Sequence, residues 1–155
     1  MKKHTYSIQL FWKDVNGTAS YTSYSRNHTI KIDQKPNLRI SSDPAFRGDP
    51  TKFNPEDMFL SSLSSCHMLW YLHLCADSGI TVVDYYDNAS GVMIQEKNGG
   101  GRFQEVVLHP QVIIIEKNKI ELAMELHEKA NQKCFIANSC NFPIQHVSKV
   151  QTLKQ

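Results

Sequence analysis

The stretch NPEDMFLSSLSSCHMLWYLHLCADSG, residues 54–79, decides how the rest of the chain is read. Asn54 is a favoured helix N-cap, Pro55 suits the first helical position, and Glu56 and Asp57 suit the positive end of the helix dipole. Phe59, Leu63, Cys66, Trp70 and His73 follow at spacings of four, three, four and three, so they share one face. Leu60, Leu69, Leu72 and Leu74 widen the apolar surface beyond a single stripe, which is the pattern of a buried helix. Gly79 is the natural stop. The sequence therefore predicts a central helix that other elements must cover.

Towards the N-terminus, Tyr6, Ile8, Leu10 and Trp12 alternate with polar residues, the period of a half-buried strand. A turn signal at 14–17 is followed by a strand expected over 21–25, and His28, Ile30 and Ile32 alternate again. Short connections make these three an antiparallel meander. Residues 34–53 carry Pro36, Pro44, Gly48 and Pro50 and form a long loop with a short extended piece at 38–40; loops of this length are often functional.

Beyond the helix, strands are expected over 80–86 and 92–94, then a hairpin loop at 98–101. The strongest strand signal is 103–115, where Pro110 implies an edge or a bulge. A second helix starts near Asn118, with Ala123, Leu126, Ala130 and Cys134 on one face, and a final strand lies within 142–153. The order βββ–α–ββ–α–β has consecutive strands rather than βαβ units. It predicts one α+β domain, 1–155, with antiparallel sheets around two central helices.

Composition excludes several classes of function. The 155 residues carry a formal charge of +2, which gives no electrostatic case for a nucleic-acid or membrane partner. No apolar run approaches the ~20 residues of a spanning helix. The opening MKKHTYSIQLFW is basic, but polar residues interrupt it and no small-residue cleavage site follows, so a secretory signal is not expected. Cys66, Cys75, Cys134 and Cys140 form no CxxC pair, which points to free thiols and a cytoplasmic setting.

The chemistry turns on the cysteines. Position within a helix leaves two uses open for Cys66: a small buried hydrophobe, the commonest fate of a free cysteine, or a nucleophile. It lies about three turns past the helix N-terminus, beyond the reach of the dipole, so a reactive thiolate there needs a cation from elsewhere in the fold. Cys134 falls on the apolar face of the second helix and is expected to point at the first, which makes the two cysteines a setting for a redox pair. Cys75 and Cys140 are assigned to packing. A metal centre is disfavoured: His67 and His73 are separated by about 600° of helical rotation and face apart, and no HxxxH or CxxC spacing is present. A GxSxG elbow and a phosphate loop are absent, and no His–Asp/Glu pair is placed to serve a cysteine hydrolase.

Together, Asn54-Pro-Glu-Asp-Met-Phe59, Ser64-Ser-Cys66-His67, and His127-Glu-Lys-Ala130 followed by Cys134 and Ser139 resemble the two cysteine motifs of the OsmC/Ohr superfamily of osmotically induced and organic hydroperoxide resistance proteins. The resemblance spans roughly residues 6 to 150. It implies an intertwined homodimer and a stress-response thiol peroxidase that reduces alkyl or fatty-acid hydroperoxides with no metal, flavin or haem. It maps Cys66 to the peroxidatic and Cys134 to the resolving cysteine. Glu56 maps to a glutamate that holds an activating arginine, mapped to Arg26 with Arg47 as substitute. A thiol reductant, of lipoyl type, would recycle the disulfide. A pocket lined by Phe59, Leu63 and Trp70 is expected to receive the substrate. The family's usual Cys-Pro is Cys134-Phe135 here, and His67 stands where many members carry Phe, so the chain would be a divergent branch. The alternative is a non-enzymatic module of the same fold that binds a small apolar or lipid-like ligand.

Overall fold

The computed structural model describes residues 1–153 and separates into two compact units, Met1–Phe59 and the residues from Leu60 onward. The last two residues of the expected 1–155 domain lie outside the described residues.

The first unit is built on an antiparallel sheet of β1 (Gln9–Phe11), β2 (His28–Lys31) and β3 (Leu38–Ile40), in that order, with Leu10 opposite Ile30 and His28 opposite Ile40. The strand expected over 21–25 is a set of turns instead. Asp14 is the reason: its carboxylate accepts the N–H groups of Asn16 and Ser25, and Trp12 Nε1 donates to the Ser25 carbonyl at 2.7 Å. Those bonds close the segment into a loop and leave it no strand partner. The short extended piece at 38–40 supplies the third strand. The chain then returns through a 3-10 turn (Pro44–Phe46), and Ser41 N–H donates to the Phe53 carbonyl at 2.9 Å. Gly48 makes this return possible, since a Cβ there would fall 1.5 Å from the Ser42 carbonyl oxygen.

Helix α1 (Pro55–Asp77) starts on a reciprocal cap. Asn54 Oδ1 accepts the Asp57 N–H at 2.7 Å, and an Asp57 carboxylate oxygen accepts the Asn54 N–H at 3.3 Å. It ends as a Schellman motif: Gly79 has φ +63°, its N–H donates to Ala76 O, and Ile80 N–H donates to Cys75 O. Lys119 Nζ covers the remaining carbonyls of Ser78 and Gly79 at 3.0 and 2.9 Å.

The second unit adds β4 (Val82–Asp87), β5 (Ser90–Gln95), β6 (Gly101–Leu108), β7 (Pro110–Ile114), α2 (Ile120–Lys133), β8 (Ile144–His146) and β9 (Lys149–Thr152). Two sheets result, in the orders β4-β7-β9 and β5-β6-β8. The β4–β7 and β5–β6 pairs are antiparallel as expected, but β6–β8 and β7–β9 are parallel. The sheets are therefore mixed, because α2 acts as the crossover that returns the chain in the same direction. The single strand expected over 103–115 is two, as is the terminal one. Pro110 opens β7 rather than interrupting a strand, the position where its missing N–H costs no ladder bond. Both long segments step from one sheet to the other, at His109 and at 147–148. Asp87 Oδ1 accepts the His109 N–H at 2.7 Å, and Val147 N–H donates to Leu108 O at 2.8 Å, so the steps leave these donors satisfied.

The core lies between the helices and the β4-β7-β9 sheet. It gathers Tyr71, Cys75, Ile80, Val112, Ile114, Ala123, Leu126 and Ala130. The face expected to be buried on α1 is displaced by part of a turn. Leu63, His67, Tyr71 and Cys75, each four apart, are the fully buried positions; Cys66 and Trp70 are half-buried, and His73 is exposed and pairs with Asp77. Ser61, Ser65, Leu69 and His73 form an exposed strip on the other side. Among the described residues no helix is long and apolar enough to cross a membrane.

The left-handed backbone at Gly79 sets a first expected outcome. Gly79→Ala should lower the unfolding free energy by about 1–2 kcal/mol, the cost of a Cβ in that conformation. It is read as a lower urea midpoint at unchanged slope. An unchanged midpoint would mean that the α1 terminus tolerates the side chain.

Candidate active site: a dithiol between two helices

Cys66 and Cys134 come from different helices and are neighbours, close enough that the Cys66 thiol bears on the ionisation of Cys134. The local sequence explains both placements. Cys66 directly follows the serine-rich stretch of α1, Ser61 to Ser65, at the margin of its buried face. Cys134 ends α2: its backbone is extended, its N–H donates to Asn131 O at 3.2 Å, and the chain turns there into a 3-10 segment (Ala137–Ser139). The returning Ala137 N–H donates to Cys134 Sγ at 3.4 Å. Burial, aided by the neighbouring Cys66 thiol, pushes the Cys134 thiol up to about 11, against the smaller opposing effect of those backbone N–H groups. Cys134 is thus a protonated, sheltered thiol at neutral pH, while Cys66 is partly open to solvent. All four cysteines are free: Cys75 lies in the core beside the Tyr71 hydroxyl, and Cys140 Sγ donates to Ile136 O at 3.4 Å.

A second polar contact joins the same helices. His67 Nε2 and His127 Nδ1 share a hydrogen bond of 3.0 Å, and both rings are fully buried. The rings are nearly parallel, and Tyr71 stacks on His127 at 3.8 Å between centroids. His146 from β8 tilts against both and reaches Glu128 at 3.4 Å. Burial first, then His146, lowers His67 to about 4, against the opposing charge of Asp87; burial, then His67 and His146, lowers His127 to about 3. Both imidazoles are therefore neutral at pH 7. His127 and His146 were not among the candidate residues, although position 127 falls on the same α2 stripe as Ala123, Leu126 and Ala130. Among the described residues no group of histidine, cysteine or acidic side chains is arranged to hold a metal ion.

The remaining candidates lie in or next to the first unit. Arg26 stacks on Tyr24 at 3.9 Å and on Tyr21 at 4.7 Å, and its guanidinium donates to the carbonyls of both residues. No carboxylate pairs with it among the described residues. Glu56 has one carboxylate oxygen buried without a hydrogen-bond partner, so the expected Glu56–Arg26 ion pair is not formed within this chain. Arg47 is exposed, with left-handed backbone at φ +67° closing the 3-10 turn, and its side chain meets no partner among the described residues. The expected substrate pocket also differs. Leu63 is buried in the core, and the cleft beside α1 is one of about 490 Å³ lined by Leu60, Ser64, Met68, Tyr85, Tyr86 and Asp87, among others. It lies on a different face of α1 from Cys66.

Two helices that present one cysteine each to the other, backed by mixed sheets, define a dithiol protein of α+β fold. Residues 48–148 match the family of OsmC-like proteins. An OsmC-like protein of unknown function from Vibrio cholerae has 30% identity and a TM-score of 0.82, over 96% of this chain and 100% of that one. The chain belongs to the OsmC-like family. The fold is shared with an organic hydroperoxide resistance protein from Elizabethkingia anophelis, at 23% identity and TM-score 0.69 over 98% and 100% of the two chains. It is shared also with the organic hydroperoxide resistance protein OhrB of Bacillus subtilis, at 17% and 0.66 over 96% and 98%. No curated protein matches the chain.

The buried imidazoles set the pH dependence of stability. Their folded-state values lie below the ~6.5 of an unfolded histidine, so between pH 6.5 and about 4 the unfolded chain binds more protons than the native one. Stability is fully present above pH 6.5 and falls as acid is added. Thermal midpoints measured from pH 7 to 4.5, above most carboxylate titrations, should decline for the wild type. They should decline less steeply when both His67 and His127 are replaced by Leu. Parallel curves would show that these rings do not carry the acid sensitivity.

Proposed function

We propose that this chain is a thiol peroxidase that reduces alkyl or fatty-acid hydroperoxides to alcohols. The observation that carries the reading is that Cys66 and Cys134, from different helices, are neighbours. Cys66, the more accessible of the two, acts as the peroxidatic residue. Its thiolate attacks the distal peroxide oxygen, the O–O bond breaks, the alkoxide leaves and is protonated to the alcohol, and the sulfur becomes a sulfenic acid. Cys134 then attacks that sulfur; the S–S bond forms, and hydroxide departs with the Cys134 proton as water. An external dithiol, of lipoyl type by family resemblance, reduces the disulfide by exchange. A reducing cytoplasm suits a cycle that begins with free thiols.

Activation of Cys66 is assigned to Arg26, oriented by Glu56, in a homodimer whose sites are shared between chains. Three features support this. Glu56 and Cys66 are ten residues apart on one helix, a separation of ~15 Å that a glutamate side chain does not span. Glu56 has a buried carboxylate oxygen and Arg26 a guanidinium without a counter-ion, and a buried unpaired polar group is costly. The strip of Ser61, Ser65 and Leu69 on α1, with Phe11 on β1 and Trp12 just after it, leaves apolar and small residues uncovered in the single chain. A second copy would cover them and bring Glu56 and Arg26 of one chain towards Cys66 of the other. The binding-module alternative has less support, because an apolar cleft beside α1, which Leu60, Met68, Tyr85, Tyr86 and Ala89 help to line, gives no reason for two neighbouring thiols on a different face.

Cys66→Ser should retain the fold and lose turnover of cumene hydroperoxide to background. Cys134→Ser should complete one turnover and then accumulate sulfenic acid, trapped as its dimedone adduct. Near-wild-type turnover by Cys66→Ser would defeat the assignment, and a Cys66 disulfide to Cys140 or Cys75 on peptide mapping would show a different resolving residue.

The shared-site arrangement has its own test. The two inactive variants Cys66→Ser and Glu56→Ala, mixed, unfolded and refolded together, should regain activity, since a heterodimer then carries one intact site. A single ~18 kDa species in sedimentation, or a verified heterodimer with no activity, would place each site within one chain.

A further inference from the structure

The mechanism uses the thiols and leaves the His67–His127 pair unexplained. The pair is an unusual use of core space. Each ring is fully buried, and the nitrogens that face away from the shared bond, His67 Nδ1 and His127 Nε2, have no partner. Two leucines of similar size would fill the same space without stranding polar atoms, and replacing both members of a buried polar pair by apolar groups is often neutral or stabilising. The imidazoles therefore supply something that packing does not.

What they supply is direction. Cys75, Leu126 and Ala130, which share the core, attract one another at any nearby offset, whereas a hydrogen bond of 3.0 Å between ring nitrogens is satisfied at one register of α1 against α2. Sliding one helix by a turn, ~5.4 Å, would break it and leave four stranded nitrogens instead of two. The bond joins the two helices that carry the thiols. His67 is the residue next to Cys66, and His127 lies two turns before Cys134 on the same side of α2. Tyr71 fixes the His127 ring plane by stacking on it, with 10° between the planes.

We propose that the His67–His127 hydrogen bond is a positioning device that holds Cys66 and Cys134 in register for disulfide formation. The proposal rests on the dithiol cycle above. It concerns the second step alone: the condensation of Cys66 sulfenic acid with the Cys134 thiol, which forms the S–S bond and releases water. Attack on the peroxide needs only Cys66 and its activating groups. Loss of the imidazole pair should therefore spare the first step and slow the second.

The double variant His67→Leu/His127→Leu separates positioning from stability. It should unfold at a urea concentration equal to or above that of the wild type at neutral pH. Cys66 oxidation by cumene hydroperoxide, followed by dimedone labelling in single-turnover mixing, should stay within about threefold. Disulfide formation should slow at least tenfold. The disulfide's equilibrium with dithiothreitol should shift towards reduction by a similar factor, which is ~30 mV for a two-electron couple. His67→Gln and His127→Asn place an amide where the bonding nitrogen stands and should stay near wild type, whereas His127→Gln should resemble the double variant. Disulfide formation at the wild-type rate in a folded double variant would overturn the proposal. If that variant does not fold, equal rates for His127→Asn and His127→Gln would overturn it instead. The dithiothreitol equilibrium needs no peroxide, so it tests positioning even where the wild type fails to consume hydroperoxide, the outcome that would count against the peroxidase reading.

Discussion

The burial of one face of α1 is the constraint on which the second unit depends. Leu63, His67, Tyr71 and Cys75 stand four residues apart, all fully buried, and so form a line that drifts slowly around the helix. A line of this kind needs a neighbour along its whole length. The Ala123, Leu126, Ala130 and Cys134 stripe of α2 and the inward residues of β7 supply it. The termini of α1 are finished with corresponding care. Asn54 and Asp57 cap one end, and Gly79 with Lys119 closes the other. Lys119 belongs to the turn that starts α2, so the stop of one helix is tied to the start of the next.

Much of this was legible in the sequence because it depends on short-range chemistry. Asn54-Pro55 and Gly79 bracket α1, and the α2 stripe appears at its true positions. What was not legible depends on contacts between distant residues. The strand expected over 21–25 has suitable residues, yet Asp14 captures the Ser25 N–H and folds the segment into turns. The apolar run 103–115 looks continuous because both halves face cores; only the pairing of each half with a different sheet reveals the step at His109. The buried face of α1 differs from the expected one by part of a turn, since leucines occur almost all around the helix and pattern alone does not rank them. The Cys66–Cys134 pairing was open to inference from two inward-facing positions. His127 stands in the sequence only as part of a motif, because a histidine in an apolar stripe has no partner until the opposite helix is in place.

The steps between the two sheets serve the site indirectly. By moving β6 into β7 and β8 into β9 at matched places, the chain brings strands of both sheets against the helices, β7 through the core and β8 through His146. Asp87 holds the first step by accepting the His109 N–H, and its other oxygen takes the Ser64 hydroxyl of α1. One carboxylate thus ties the strand break to the helix that carries Cys66, two residues beyond Ser64. Its charge also opposes the depression of His67. Asp87 connects sheet, helix and imidazole pair.

The two polar contacts between α1 and α2 differ in what they permit. A thiol contact is soft: sulfur is large and polarizable, its hydrogen bond is weak, and the atoms must close to ~2.05 Å when the disulfide forms. In the proposed dithiol cycle the two sulfurs would move at each turnover, so they would not by themselves fix where the helices stand. An imidazole hydrogen bond is directional and, in a dry core, strong enough to resist sliding. It has no covalent change to undergo. On the proposed reading, placing the directional bond beside the reactive thiols would let the sulfurs move while the backbones that carry them stay in register. This division of labour gives a physical reason for two neutral histidines in a core where apolar side chains would pack at lower cost.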